Sequence, residues 1–167
     1  MDQSEIIEIL DRHIFDKDKA ALVEAIAENP YRFVGLFRST PPRLKLLQNL
    51  LQSREIRFGD AMEEIITKQL AELGYINLDK RLLTPDGAKL SCDQRFCLSD
   101  QSQFFLVEQK IRDDHDSSKK EGQIRNLYKK LVHLKSLHGK TLVGIMYFID
   151  PTLRKNEGYY RSQLVVR

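Results

Sequence analysis

Asp93 and the triplet Glu108-Gln109-Lys110 are the residues whose types and spacing could do chemistry. The stretch that holds them, 88–113, reads as two short strands joined by a polar turn at Ser99–Ser102. Asp93 falls on the first. The second runs apolar through Phe104, Phe105, Leu106 and Val107 before presenting the triplet. Side chains alternate across a strand, so Glu108 and Lys110 project to one face, Val107 and Gln109 to the other. An acid and an amine on one side of an apolar strand, with a second acid on its neighbour, could form a metal-dependent hydrolytic site. Acid-x-Lys triplets arise by chance in chains of this length, and Asp93 with Lys110 could be a hairpin salt bridge. This triplet is, however, the only one of its kind in the chain, and fourteen residues separate it from Asp93.

The surrounding elements must position these groups. Apolar spacing predicts helices over 4–14 and 16–28, with Asn29-Pro30 as a stop. Tyr31–Phe37 reads as a short packed helix or turn. Thr40 can cap, and Pro41 open, a helix reaching about Gln52 with Leu44, Leu47, Leu50 and Leu51 as its stripe. A further helix is expected over 59–73, burying Met62, Ile65, Ile66, Leu70 and Leu73, with Gly74 as its stop and Glu63 at the margin of the apolar face. A strand ending at Thr84 pairs with the Asp93 strand across the turn Pro85-Asp86-Gly87. From Ser117 or Ser118 a basic helix runs to about His138 and ends at Gly139. Thr141–Ile149 reads as a strand buried on both faces, closed by Pro151. A last strand at Gln163–Val166 completes the reading. A helix joining the third strand to a central fourth is a crossover, which gives an α/β fold: a mixed β-sheet flanked by helices. Residues 1–52 form an N-terminal helical section suited to a lid or dimerisation, and 53–167 a core with a basic tail.

At 167 residues the chain suits one well-buried domain, and it could be a fragment of something longer. No apolar run is long enough for a membrane span and no secretion signal is evident, so the cytoplasm is the expected location. Cys92 and Cys97, five apart on one expected strand, should point to opposite faces as two buried thiols. Residues 1–30 carry eight acids against three bases, and residues 117–167 eleven bases against three acids. The basic end suggests a polyanionic partner, although solvated helix faces also produce charge runs. Asp113, Asp114, His115 and Asp116 read as an exposed loop ahead of a helix, and His13, His133 and His138 as structural.

Asp93, Glu108-x-Lys110 and the helix–hairpin–strand–helix–strand order resemble the PD-(D/E)xK nuclease superfamily, type II restriction endonucleases in particular. The resemblance covers about residues 57–150. It includes the run Arg57-Phe-Gly-Asp-Ala-Met-Glu63, similar to the family's first helix, and the stretch from Glu108 to Gln123. Cys92 stands before Asp93 where the pattern has proline.

The resemblance implies Mg²⁺-dependent, sequence-specific hydrolysis of double-stranded DNA, and the residue types suit it. Mg²⁺ takes one or two carboxylates and keeps several waters. Asp93, Glu108 and the backbone carbonyl of Gln109 could hold it, Lys110 could orient the attacking water and stabilise developing charge, and Glu63 could hold a second ion. Lys119, Lys120, Arg125, Lys129 and Lys130 would meet phosphates, with Gln123 facing the site. Arg154, Lys155, Asn156, Tyr159, Tyr160 and Arg161 could reach DNA or form a capping strand. A homodimer would explain symmetric cutting, and a cognate DNA methyltransferase would accompany such an enzyme. A structure-specific or repair nuclease of the same superfamily is one alternative. A non-catalytic DNA-binding module is the other.

Overall fold

The computed structural model describes residues 1–15, 18–32, 39–84, 87, 89–112, 117–138, 141–152 and 155–164. The chain divides into two compact units, Met1–Lys68 and Gln69–Arg167.

The first unit is helical. Helix α1 (Gln3–Ile14) starts at Asp2, whose carboxylate accepts from the Glu5 amide while the Glu5 side chain accepts from the Asp2 amide, a reciprocal cap. Helix α2 (Asp18–Glu28) and a 3-10 turn (Pro30–Arg32) follow; residues 33–37 lie outside the described residues. Helix α3 then runs unbroken from Pro42 to Glu72. Two helices were expected here, over 41–52 and 59–73. The intervening Ser53–Phe58 contains no proline, and Gly59 alone does not stop a helix, so one turn stacks on the next. Ile9 of α1 packs with Ala61 and Ile65 of α3. Arg12 and His13 both grip Glu64, at 2.6 and 2.8 Å. Helix α3 ends at Gly74 as expected. The Gly74 amide reaches the Ala71 carbonyl and the Tyr75 amide the Leu70 carbonyl, a closure that needs the positive φ of 87° which glycine supplies.

The second unit is an α/β fold. Strands β1 (Ile76–Asn77), β4 (Gln94–Cys97), β5 (Phe104–Lys110) and β6 (Leu142–Phe148) form a sheet in the order β1-β4-β5-β6. β2 (Arg81–Leu83) and β3 (Lys89–Ser91) form a separate antiparallel pair. β4 and β5 are an antiparallel hairpin; β5 and β6 are parallel, linked by helix α4 (Ser117–His138). The crossover was expected, but β6 is not central. Among the described residues it stands at the sheet edge, with β4 and β5 as the inner strands, and the apolar run of β6 reflects cover from α4 rather than two strand neighbours.

Strand alternation decides what α4 meets. Leu106 is fully buried with Leu127 and Leu134 of α4 and with Cys92. Gly144, opposite Leu106, lets α4 approach: a Cβ there would lie 2.6 Å from two Leu131 methyl carbons. On the other face Phe96 stacks on Phe105 at 4.9 Å, with Tyr75 edge-on to both. Both cysteines are buried and free, as expected, but they share a face. Cys97 stands opposite Phe104, on the Leu106 side, and Cys92 belongs to the same buried cluster as Leu106. The chain bends at Asp93, between β3 and β4, and the bend breaks the alternation. Residues 157–163, in part expected as strand, form helix α5 (Glu157–Gln163); residues 165–167 lie outside the described residues. Among the described residues no helix is long and apolar enough to cross a membrane.

Candidate active site

Asp93 sits at the bend where the chain leaves β3 for β4, not within a strand. There the regular ladder between β4 and β5 stops at the pair Gln94–Val107, leaving the next β5 amides in need of acceptors. Asp93 Oδ2 fills that need by accepting from the Gln109 amide at 2.6 Å. The same oxygen accepts from Lys110 Nζ at 3.2 Å. The bend thus aims a carboxylate at the end of β5.

Glu108 and Lys110 project from the α4 face of β5, as alternation requires, and Lys110 is in register with Phe148 of β6. Lys110 Nζ lies 2.9 Å from the backbone oxygen of Gln109 and 3.7 Å from Glu108 Oε2. One ammonium therefore meets three oxygens: two carboxylate and one carbonyl. The Gln109 side chain, buried on the opposite face, contributes nothing but its backbone here. Glu108 is 94% buried, given its 6% exposure, while the side chains of Asp93 and Lys110 keep 22% and 26% of theirs. The site is open at the Asp93–Lys110 side and closed at the Glu108 side.

What closes it is Lys130. This lysine of α4 donates to Glu108 Oε1, and its side chain is only 10% exposed. It was expected to meet DNA phosphates, and burial removes it from that set. Its position has a sequence signature: Lys130 falls between Leu127 and Leu134, inside the apolar stripe that packs on the sheet. Arg125 and Lys129 are exposed on the opposite side of α4, away from Glu108.

Helix α5 fastens the start of α4 to the same end of the sheet. Tyr160, buried against Phe148, donates to Gln123 at 2.9 Å. Lys120 Nζ lies 3.4 Å from Asn156 Oδ1 and 4.5 Å from the centre of the Tyr159 ring, within cation–π range. Lys119 and Lys155 are exposed; Arg154 and the acidic run 113–116 lie outside the described residues. Asn156 and Tyr160, left undecided by sequence, are buried parts of this support. Glu63 belongs to the first unit, on α3, where its backbone carbonyl accepts from Thr67.

Among the described residues no group of three or more Asp, Glu, His or Cys side chains gathers as a ready-made metal cage. The donor set around Lys110 nevertheless suits a hard divalent cation. It offers two carboxylates and a backbone oxygen, with room on the open side for water, and a cationic group already rests among them. Burial pushes the thiol of nearby Cys92 up to about 11.

The family model of the HinfI type II restriction endonucleases matches residues 2–83 and 80–166, nearly the whole chain. No curated protein and no solved structure is a match. An enzyme of this kind is a DNA-cleaving hydrolase that acts on double-stranded DNA, in keeping with an acidic, lysine-bearing site at the open end of a mixed sheet. With the match running from one end of the sequence to the other, the chain belongs to the HinfI family of type II restriction endonucleases.

Proposed function

We propose that the protein cuts double-stranded DNA at a specific short sequence by Mg²⁺-dependent phosphodiester hydrolysis, with Asp93, Glu108 and Lys110 as its catalytic side chains. The observation that carries this reading is the convergence of Lys110 Nζ on Asp93 Oδ2, Glu108 Oε2 and the Gln109 carbonyl. Those oxygens would hold the ion. When bound, Mg²⁺ supplies Lewis-acid stabilisation of charge on the phosphoryl and leaving oxygens. Asp93 Oδ2 spans the Gln109 amide and Lys110, so Asp93 also fixes the end of β5. Lys110 would orient the attacking water and offset the negative charge that grows in the transition state. Glu63, from the first unit, would hold a second ion.

Lys119, Lys120, Lys155 and Arg154 would contact phosphates and so position the duplex, with Gln123 behind them; Arg125 and Lys129 would serve a more distant stretch of backbone. On this reading residues 53–167 are the nuclease core, and residues 1–52, with the acidic segment 1–30, are the interface of a homodimer that cuts both strands. The enzyme works in the cytoplasm beside a cognate DNA methyltransferase.

Digestion of a mixed-sequence plasmid, with Mg²⁺ and with EDTA, tests the proposal. Discrete fragments in Mg²⁺ alone are expected. Cutting confined to junctions or flaps would make the protein a structure-specific nuclease. Salt-sensitive binding with no cutting would make it a binding module.

A further inference from the structure

We propose that Lys130 is a positioning residue of this site: its ammonium holds Glu108 Oε1, so that Glu108 turns a single oxygen towards Lys110 and Asp93 and receives a divalent cation in one geometry. The inference rests on the reading of Asp93 and Glu108 as cation ligands.

Packing alone does not account for a lysine at this position. Leu127 and Leu134, one turn to either side, are fully buried, and another apolar residue would continue their stripe. Replacing a buried ion pair with apolar groups is often neutral or stabilising, so stability is a weak reason to keep one. Nor is Lys130 free to meet a phosphate, with its side chain 10% exposed and Nζ against Glu108. Its effect falls on Glu108. With Oε1 taken, only Oε2 faces the open side, where Lys110 lies 3.7 Å away. Asp93 and Glu108 carry two negative charges, Lys110 and Lys130 two positive ones. The cluster is balanced before any cation arrives, and deleting Lys130 leaves one negative charge in excess. A cation should then bind more tightly, on a carboxylate free to turn both oxygens to it, and the chemistry should suffer.

Lys130→Met and Lys130→Arg test this by calorimetry of Ca²⁺ and Mg²⁺ binding to the DNA-free protein, beside Mg²⁺-driven cleavage rates and DNA affinity in Ca²⁺ across a salt series. For Lys130→Met, cation affinity should rise at least about tenfold, the effect that a unit charge roughly 6 Å from a divalent ion has even at the dielectric of water. Cleavage should slow by at least about tenfold while the salt slope of DNA binding stays at the wild-type value. Lys130→Arg, which keeps the charge, should stay within about threefold of wild type in cation affinity. If Lys130→Met does not fold, Lys130→Gln carries the same requirement of tighter cation binding. Unchanged or weaker cation binding by the neutral variant overturns the proposal. A salt slope reduced by about 0.9, one lost phosphate contact, also overturns it. A wild type that binds no cation, or a Glu108→Ala variant that binds as wild type does, refutes the underlying site instead. Those results are distinct from a wild type that needs Glu108 but ignores Lys130.

Discussion

Removing one carboxylate from an acidic pair usually relieves repulsion, yet Glu108→Ala should destabilise this protein. Glu108 accepts from Lys130 on one oxygen and lies near Lys110 on the other. Lys110 loses little in the variant, because Asp93 Oδ2 at 3.2 Å and the Gln109 carbonyl at 2.9 Å remain. Among the described residues Lys130 loses its acceptor, while its side chain stays 10% exposed. Breaking a buried pair from one side costs about 3–5 kcal/mol, because an uncompensated charge is left behind. Partial exposure and local water entry favour the lower end, about 3 kcal/mol. Lys130→Met should cost a similar amount by leaving Glu108 short of a donor. The double variant Glu108→Ala/Lys130→Met should recover most of the loss, giving a coupling of at least about 2 kcal/mol. Urea unfolding followed by far-UV circular dichroism, with m-values checked for equality, measures all three. Unfolding of Glu108→Ala at the wild-type urea concentration, or two single losses that simply add, would refute this coupling of Glu108 to Lys130.

Three further outcomes follow from the geometry. Gly144→Val should cost about 1–3 kcal/mol in urea unfolding, because its Cβ would strike the Leu131 methyls at 2.6 Å, and Leu131→Ala in the same chain should return part of it. Glu64 is held below its ordinary range, first by His13 and also by Arg12. Its folded-state value lies below the unfolded one, so its contribution is present above about pH 4.3 and is lost as pH falls through the folded value. Wild type and Glu64→Gln should therefore differ in stability at pH 6 and converge towards pH 3; parallel curves would contradict the pairing. Iodoacetamide at pH 8 should label neither Cys92 nor Cys97 in the folded protein and both in urea, given two buried thiols, with Cys92 pushed up to about 11.

The triplet was legible because strand alternation is strict: once β5 is recognised, Glu108 and Lys110 must share a face. Gly74 was legible for a similar reason, since its closure needs a positive φ. The bend at Asp93 was not, because Cys92-Asp93-Gln94 contains no glycine or proline and the extra hydrogen bonds that define it come from β5. The continuity of α3 was not legible because the apolar stripes of 41–52 and 59–73 read as two helices, whereas the intervening Arg-Glu-Ile-Arg-Phe turn is helix-compatible. The edge position of β6 depends on strand order, which periodicity does not encode. Lys130 was readable as a lysine in an apolar stripe, but its partner lies twenty-two positions away and across a crossover. The charge run of α4 concealed it among solvated neighbours.

The central claim is that Asp93, Glu108 and Lys110 together carry the cleavage. Its most direct test is single-turnover cutting of a plasmid bearing the enzyme's own site, in Mg²⁺, by wild type and by Asp93→Ala, Glu108→Ala and Lys110→Ala, each first shown to be folded. Every variant should cut at least about a hundredfold more slowly, the loss of an electrostatic contribution of about 2.7 kcal/mol or more. Cleavage that persists at the wild-type rate in all three would contradict it.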